Sequence, residues 1–377
     1  NVRELARLRD RAVKVPRALV AELAETGSLA QQVWAKARQN DDWAAFAPHL
    51  ARLVELKRHE ADAVGYETEP YDALLDEYEP GARAAQLAEL FAELAAGLKP
   101  VLDALHAAPN PAADLLQGDF AADRQEELGR RVLEAIGFDF EAGRLDVSTH
   151  PFTQGFGPRD VRITARYQPD DLRPGLYANL HEGGHALYEL GLPVEHEGEP
   201  AAQGVSLGIH ESQSRLWENL VGRSAAFCTW LRPLLAELWP EALATADDRQ
   251  IWRAVNVVRP SPIRIEADEV TYNLHIILRL QIERALLGGE IAVDDLPRIW
   301  REKMRDTVGL VPETDREGVL QDIHWAFGVF GYFPTYALGN LYASQFFAAA
   351  GEALPGLDED LAAGRFAPLL SWLRENI

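Results

Sequence analysis

The chain of 377 residues is 47% apolar and 25% charged and carries a formal net charge of −22. This is the profile of a soluble globular protein with room for a large core, and it argues against two partner classes. No run approaches the roughly 18 apolar residues of a membrane span, and so acidic a chain repels the phosphate backbone of nucleic acid. Cys228 is the only cysteine, which rules out an intrachain disulfide and a cysteine-based zinc site, so any metal must rest on histidine and carboxylate ligands.

Asn1 opens the chain in place of Met, and no secretory apolar segment follows it. The first 138 residues read as successive helices. Apolar residues recur at three- and four-residue spacing in ALVAELAETGSLAQQVWAKARQ and in AAFAPHLARLVELKRHEADAVG. Two more helices follow, divided at Glu79-Pro80-Gly81, and Pro109-Asn110-Pro111 marks a break before DRQEELGRRVLEAIGF. The period then changes. RLDVSTHPFTQGFGPRDVRITARY sets β-branched and aromatic residues around a Gly/Pro turn, which predicts two short antiparallel strands near 144–152 and 159–167. From Asp170-Asp171, either of which suits an N-cap, the helical pattern resumes and continues to the end. No repeat or low-complexity linker divides the chain. It reads as a single domain over 1–377, helical over 1–138, with a small sheet over 139–170 and a second helical part over 171–377.

The helix predicted after Asp171 carries HEGGH, His181 to His185. A helix turns about 100° per residue, so His181 and His185 share one face and can reach one cation. Glu182 is rotated one step away and can address a water beside that cation, which is the logic of two ligands and a general base. Gly183 and Gly184 each cost a helix about 1 kcal/mol relative to Ala. They face away from the histidines, and the expected reason for them is close approach of a neighbouring helix or chain. A bare HExxH is weakly specific, so the third ligand matters. The longer pattern with Gly and His beyond the second histidine is excluded, because Tyr188 and Gly191 stand there. GIHESQSRLWENL offers Glu211 and Glu218, seven apart on one helical face, and either can ligate. Glu189, one turn past His185, is placed to support a ligand. His196 and Glu195 lie in a solvated loop. His210 either orients substrate or simply begins a helix.

Three further segments are rich in polar groups. THPFTQGFGPRDVRIT holds His150, Asp160 and Arg162; SPIRIEADEVTYNLHIILRL holds Arg264, Asp268 and His275; GVLQDIHWAFGVFGYFPTY holds Gln321, Asp322, His324, Tyr332 and Tyr336. Each has a plain alternative: a core histidine beside Trp325, an ion pair of Arg264 with Glu266 or Asp268, packed tyrosines. Together they supply what peptide hydrolysis needs, namely a neutral oxyanion donor and an arginine for a terminal carboxylate.

HPF at 150–152, DVRIT at 160–164, HEGGH, HESQ at 210–213, IRIEAD at 263–268 and GVLQDIHW at 318–325 occur in this order. With this ordered set the chain resembles the carboxypeptidase Taq family, the thermostable HExxH metallocarboxypeptidases, over nearly its whole length. The resemblance implies a mainly α, gluzincin-like fold: a large helical body with a deep active-site groove and a small antiparallel sheet before the HExxH helix. It implies zinc, for which cobalt can substitute, on His181, His185 and Glu211, with Glu182 as base. Arg264 is then expected to bind the substrate carboxylate, with His324 and Tyr336 near the oxyanion, Tyr332 competing with Tyr336 for that part. His150, Arg162 and His210 would position substrate or support the ligands. The implied activity removes C-terminal residues from peptides broadly, with Pro disfavoured, in a cytoplasmic homodimer. An endopeptidase or dipeptidase on the same zinc site, or a metal-binding helical protein without turnover, are the rival readings. Family members carry an additional N-terminal helical segment that this sequence does not show.

Overall fold

The computed structural model describes residues 1–107 and 114–377, so the expected break at 109–111 lies outside the described residues. Five helices come first: α1 Val2–Lys14, α2 Arg17–Asn40, α3 Trp43–Val64, α4 Pro70–Leu75 and α5 Ala84–Ala107. After α6, Ala122–Ile136, come three strands: β1 Gly143–Val147, β2 Phe152–Gly155 and β3 Val161–Ala165. The rest is helical: α7 Leu172–Glu189, α8 Leu207–Arg215, α9 Ala225–Leu238, α10 Pro240–Leu243, α11 Asp248–Val255, α12 Glu269–Gly288, α13 Leu296–Thr307, α14 Pro334–Ala353, α15 Leu357–Ala362 and α16 Ala367–Asn376. The architecture is mainly α with one small sheet, as expected. No described helix is long and apolar enough to cross a membrane.

The chain divides into two compact units, each built from separated stretches. One comprises α1 to α5 with Val258–Ala337. Its core holds Phe46, Leu50, Leu53, Leu74, Ile276, Leu280, Trp300, Phe330 and Phe333, all essentially inaccessible to solvent. The other runs from α6 to Val257 and adds Leu338–Ile377. Its core joins Leu128, Val132 and Ile136 of α6, Val161 and Ile163 of β3, Leu176 and Leu180 of α7, Trp217, Phe227 and Leu369. Full burial of one such Leu, Ile or Phe side chain is worth about 1.5–3 kcal/mol. Cys228 sits in this core.

The predicted pair of antiparallel strands needs correction. There are three strands in the order β1-β3-β2. β2 and β3 form the antiparallel hairpin, with Thr153 opposite Ile163, but β1 runs parallel to β3, with Leu145 opposite Ile163. The stretch expected as one strand over 144–152 is interrupted by Ser148–Pro151, after which the chain reverses and crosses to the far edge. Alternation of residue types reports a strand but not its neighbour.

α7 starts where expected. The Asp171 side chain accepts a hydrogen bond from the Arg173 N–H and caps the first turn. HEGGH lies inside the helix, with Gly183 against Leu133 of α6 and Gly184 against the backbone of α8. The close approach expected behind the motif is therefore present. α8 is capped by Ser206, whose side chain accepts from Ile209 N–H, and runs on into a π-helical turn, Leu216–Val221. Wide turns of this kind recur at functional sites; this one carries Glu218.

Candidate metal centre

Two helices of one unit bring the pieces together. α7 presents His181 and His185, and α8 presents Glu211. One donor atom from each lies within 4.8 Å of the other two, and no other such group of three occurs among the described residues. His185 Nε2 is 3.4 Å from Glu211 Oε2, and His181 Nε2 is 3.9 Å from it. Ligands at zinc-like bond lengths on a tetrahedral centre stand about 3.4 Å apart, so the three fit one small divalent cation with little adjustment.

The other ring nitrogens are already committed. His181 Nδ1 meets Glu218 Oε2 at 2.8 Å. His185 Nδ1 meets His210 Nδ1 at 2.7 Å, and His210 Nε2 meets Glu189 Oε1 at 2.8 Å. With Glu189 accepting from His210 Nε2–H, His210 Nδ1 is the atom that accepts from His185 Nδ1–H. Each ligand histidine then turns toward Glu211 the Nε2 that it would present to a cation, the arrangement that metal-binding imidazoles use. Arg215 donates to Glu211 Oε1 at 2.7 Å and to Glu218 Oε2 at 3.3 Å, holding both carboxylates in place. Gly339 lets α14 pass directly over Glu211, since a β-carbon there would stand 2.5 Å from Glu211 Cγ.

The electrostatics favour a cation. Burial alone would lower the His181 pKa, but the carboxylates of Glu211 and Glu218 outweigh it and raise it to about 9. His185 goes the other way, down to about 4, through burial and the neighbouring histidines. Burial opposes ionisation of Glu211, yet Arg215 and His181 hold it well below the usual carboxylate range. Two buried carboxylates thus draw positive charge to the one place where three donors converge. Glu182 is also buried, and that burial raises its pKa. Thr153 of β2 donates to Glu182 Oε2 at 2.6 Å and fixes its carboxylate.

Similarity to known proteins accords with this geometry. The family model for carboxypeptidase Taq (M32) metallopeptidases matches residues 1–377. Thermostable carboxypeptidase 1 of Thermus thermophilus is 48% identical over 388 aligned positions, which cover 100% of this chain and 76% of that protein. A solved structure of Pyrococcus furiosus carboxypeptidase superposes with a TM-score of 0.97 at 42% identity, covering 100% of this chain and 76% of that one. The M32 carboxypeptidase of Deinococcus radiodurans gives 0.95 at 42% identity, covering 98% and 74%. The chain belongs to the carboxypeptidase Taq family.

The enzyme is therefore a metallocarboxypeptidase, a hydrolase of peptides. Its remaining candidate residues fall in two places. Those on the sheet do not join the three donors. His150 is exposed, and Arg162 points to solvent, pairing with Asp160 at 2.8 Å and lying 4.8 Å over the Phe156 ring. His210 joins by supporting His185. His196 pairs with Glu199 at the surface.

The other place is in the first unit. Arg264 is buried and pairs with Asp322, to which Nε and Nη2 donate at 3.0 and 2.9 Å, while Nη1 donates to Tyr272 at 3.0 Å. Its ion pair is with Asp322; Asp268 instead caps α12 through the Val270 and Thr271 N–H groups. Arg279 donates to the other oxygen of Asp322 at 2.7 Å. Two guanidiniums thus share one carboxylate, and burial keeps His324 neutral, its pKa drawn down to about 4. His324 Nε2 lies 3.2 Å from the Tyr336 hydroxyl. Tyr332 packs edge-on against Tyr336, ring centroids 5.3 Å apart. Nothing in the spacing or residue types singled out Thr153 or Arg215. Their roles follow from tertiary neighbours, and Arg279 and Tyr272 were hidden in an ordinary amphipathic helix.

Proposed function

We propose that the enzyme removes C-terminal residues one at a time from peptides with broad specificity, proline disfavoured, using zinc (or cobalt in its place) on His181, His185 and Glu211. The observation that carries this is the commitment of both Nδ1 atoms to Glu218 and His210, which leaves both Nε2 atoms for one cation beside Glu211. Bound zinc supplies polarisation of the scissile carbonyl and acidification of a water. Glu182 takes the proton of the attacking water on Oε1, the oxygen that Thr153 leaves free, and returns it to the leaving amine. Burial raises its proton affinity and suits it to both transfers.

Arg264 receives the substrate's terminal carboxylate. Of its five N–H donors, three are spent on Asp322 and Tyr272, leaving one on each terminal nitrogen for a paired contact. The positive charge left over when Arg264 and Arg279 share Asp322 favours an anion there. Neutral His324 and Tyr336 are the donors for the developing oxyanion, with Tyr332 packed behind them. His210 supports His185, and His150 and Arg162 address substrate at the sheet. The enzyme works as a cytoplasmic homodimer.

The test is a paired digestion read by mass spectrometry, after zinc or cobalt loading. One N-blocked peptide has a free C-terminus, and its twin is C-amidated. Stepwise shortening of the free peptide alone is expected. Internal cleavage of both would replace this reading with an endopeptidase. Glu182→Gln is expected to abolish turnover while retaining metal.

A further inference from the structure

Glu283 of α12 is wholly buried, and the mechanism above makes no use of it. Its two oxygens hold two points of one later segment. Oε1 accepts from Trp325 Nε1 at 2.7 Å, and Oε2 accepts from the Gly331 N–H at 3.1 Å and from the Tyr71 hydroxyl at 2.8 Å. Trp325 directly follows His324. Gly331 directly precedes Tyr332 and leads into α14, whose first turn carries Tyr336. One side chain thus grips both arms of the segment that presents the proposed oxyanion donors, which meet at 3.2 Å from His324 Nε2 to the Tyr336 hydroxyl.

α4 closes the grip. Gly331 has a φ of +86°, and a β-carbon on it would stand 2.7 Å from the Leu75 nitrogen and 2.8 Å from the Leu74 carbonyl carbon. Tyr71 belongs to the same helix, so α4, α12 and the segment meet at one carboxylate. Three donors converge there, and they need two oxygens that carry no hydrogen, which a carboxylate supplies. A glutamine would turn its NH2 toward either the Trp325 or the Gly331 N–H. Burying a carboxylate costs stability that apolar packing would not, so its presence is better explained by the geometry it imposes.

We propose that Glu283 is a positioning residue for peptide hydrolysis: by holding Trp325 and Gly331 together it sets His324 against Tyr336, and so the place where the oxyanion is received. The proposal rests on the reading of His324 and Tyr336 as oxyanion donors. Glu283 itself touches no substrate and acts through the segment. A misplacement of about 1 Å far from the chemistry can lower a rate about a hundredfold.

The test is a double-mutant cycle on the zinc-loaded enzyme, with an N-blocked peptide that has a free C-terminus. Tyr336→Phe removes a donor and should lower kcat about 100- to 1,000-fold. Glu283→Gln should lower kcat about ten- to a hundredfold, with KM and zinc affinity nearly unchanged. The double variant should be no slower than Tyr336→Phe alone, because both changes act on the same donor. A merely structural Glu283 would give losses that multiply. If Glu283→Gln does not fold, Tyr71→Phe replaces it in the cycle. It keeps the carboxylate but frees Oε2 from α4, and should lower kcat about three- to tenfold, again absorbed by Tyr336→Phe. Unchanged kcat, a loss confined to KM, or multiplying losses would overturn the positioning role alone. Unchanged kcat in Tyr336→Phe would overturn the oxyanion reading and the positioning with it.

Discussion

Gly184 of α7 lies against Ser214 of α8 with no room for a side chain. A β-carbon on Gly184 would stand 2.7 Å from Ser214 Cα and 2.5 Å from the Gln213 carbonyl oxygen. Both are backbone atoms that cannot swing aside. This contact sets the distance between the helix of the two histidines and the helix of Glu211. Gly184→Ala should therefore destabilise by about 1–3 kcal/mol, although Ala is intrinsically the better helix residue by about 1 kcal/mol. Gly97→Ala in α5 is the control, since nothing lies within 4 Å of its β-carbon position. Thermal melts should move in opposite directions for the two variants. A raised melting temperature for Gly184→Ala would remove the argument from close approach.

His210→Ala and Glu218→Ala each delete the partner of one histidine Nδ1 while leaving all three donors in place. Each should weaken zinc binding about 10–100-fold, read by competition with a chromophoric chelator. Glu211→Ala, which removes a donor, should cost more than either. Affinity unchanged in both supporting variants would show that the Nδ1 contacts do not orient the rings.

Thr153→Val keeps the branched shape and the strand backbone but removes the hydroxyl that holds Glu182. Turnover should fall about ten- to a hundredfold, the size of a lost hydrogen bond to a charged group, with zinc affinity and melting temperature nearly unchanged. Thr153→Ser should recover most of it. Failure of Ser to restore turnover would assign the loss to packing.

Glu283 gives a pH signature unconnected with the metal. It is wholly buried, accepting from Trp325 Nε1 at 2.7 Å, the Gly331 N–H at 3.1 Å and the Tyr71 hydroxyl at 2.8 Å. Burial pushes its carboxyl up from the ordinary carboxylate range to about 7, despite those donors. A folded-state pKa above the unfolded one means that the native state binds the extra proton. The contribution is complete below about pH 4.5 and is lost as pH rises through about 7. Glu283→Gln should flatten the fall in melting temperature across that window. A wild-type slope that persists in the variant would place its origin elsewhere.

The amino-acid sequence showed the fold class, the HEGGH helix with its acidic cap, and the reason for its glycines, because these depend on local periodicity and backbone geometry. It left Glu211 and Glu218 equivalent, since residues seven apart share a face. In the structure they divide the work: Glu211 faces both Nε2 atoms, and Glu218 takes His181 Nδ1. The direction of β1 was illegible for a different reason. A strand's neighbour is chosen by tertiary packing, and nothing in 143–147 records that Val161–Ala165 will lie beside it in parallel. Arg264 showed the same limit. Two acidic residues close in sequence suggested its partner, but the partner is Asp322, fifty-eight positions on.

The three donors, the carboxylate beside them and every contact described as orienting them fall between Thr153 and Glu218, apart from the passage of Gly339 over Glu211. Arg264, Asp322, His324 and Tyr336 all come later in the chain. On the proposed reading, cation handling and the recognition of a peptide's end are written in separate stretches of the chain. A substitution in either stretch then leaves every residue of the other in place.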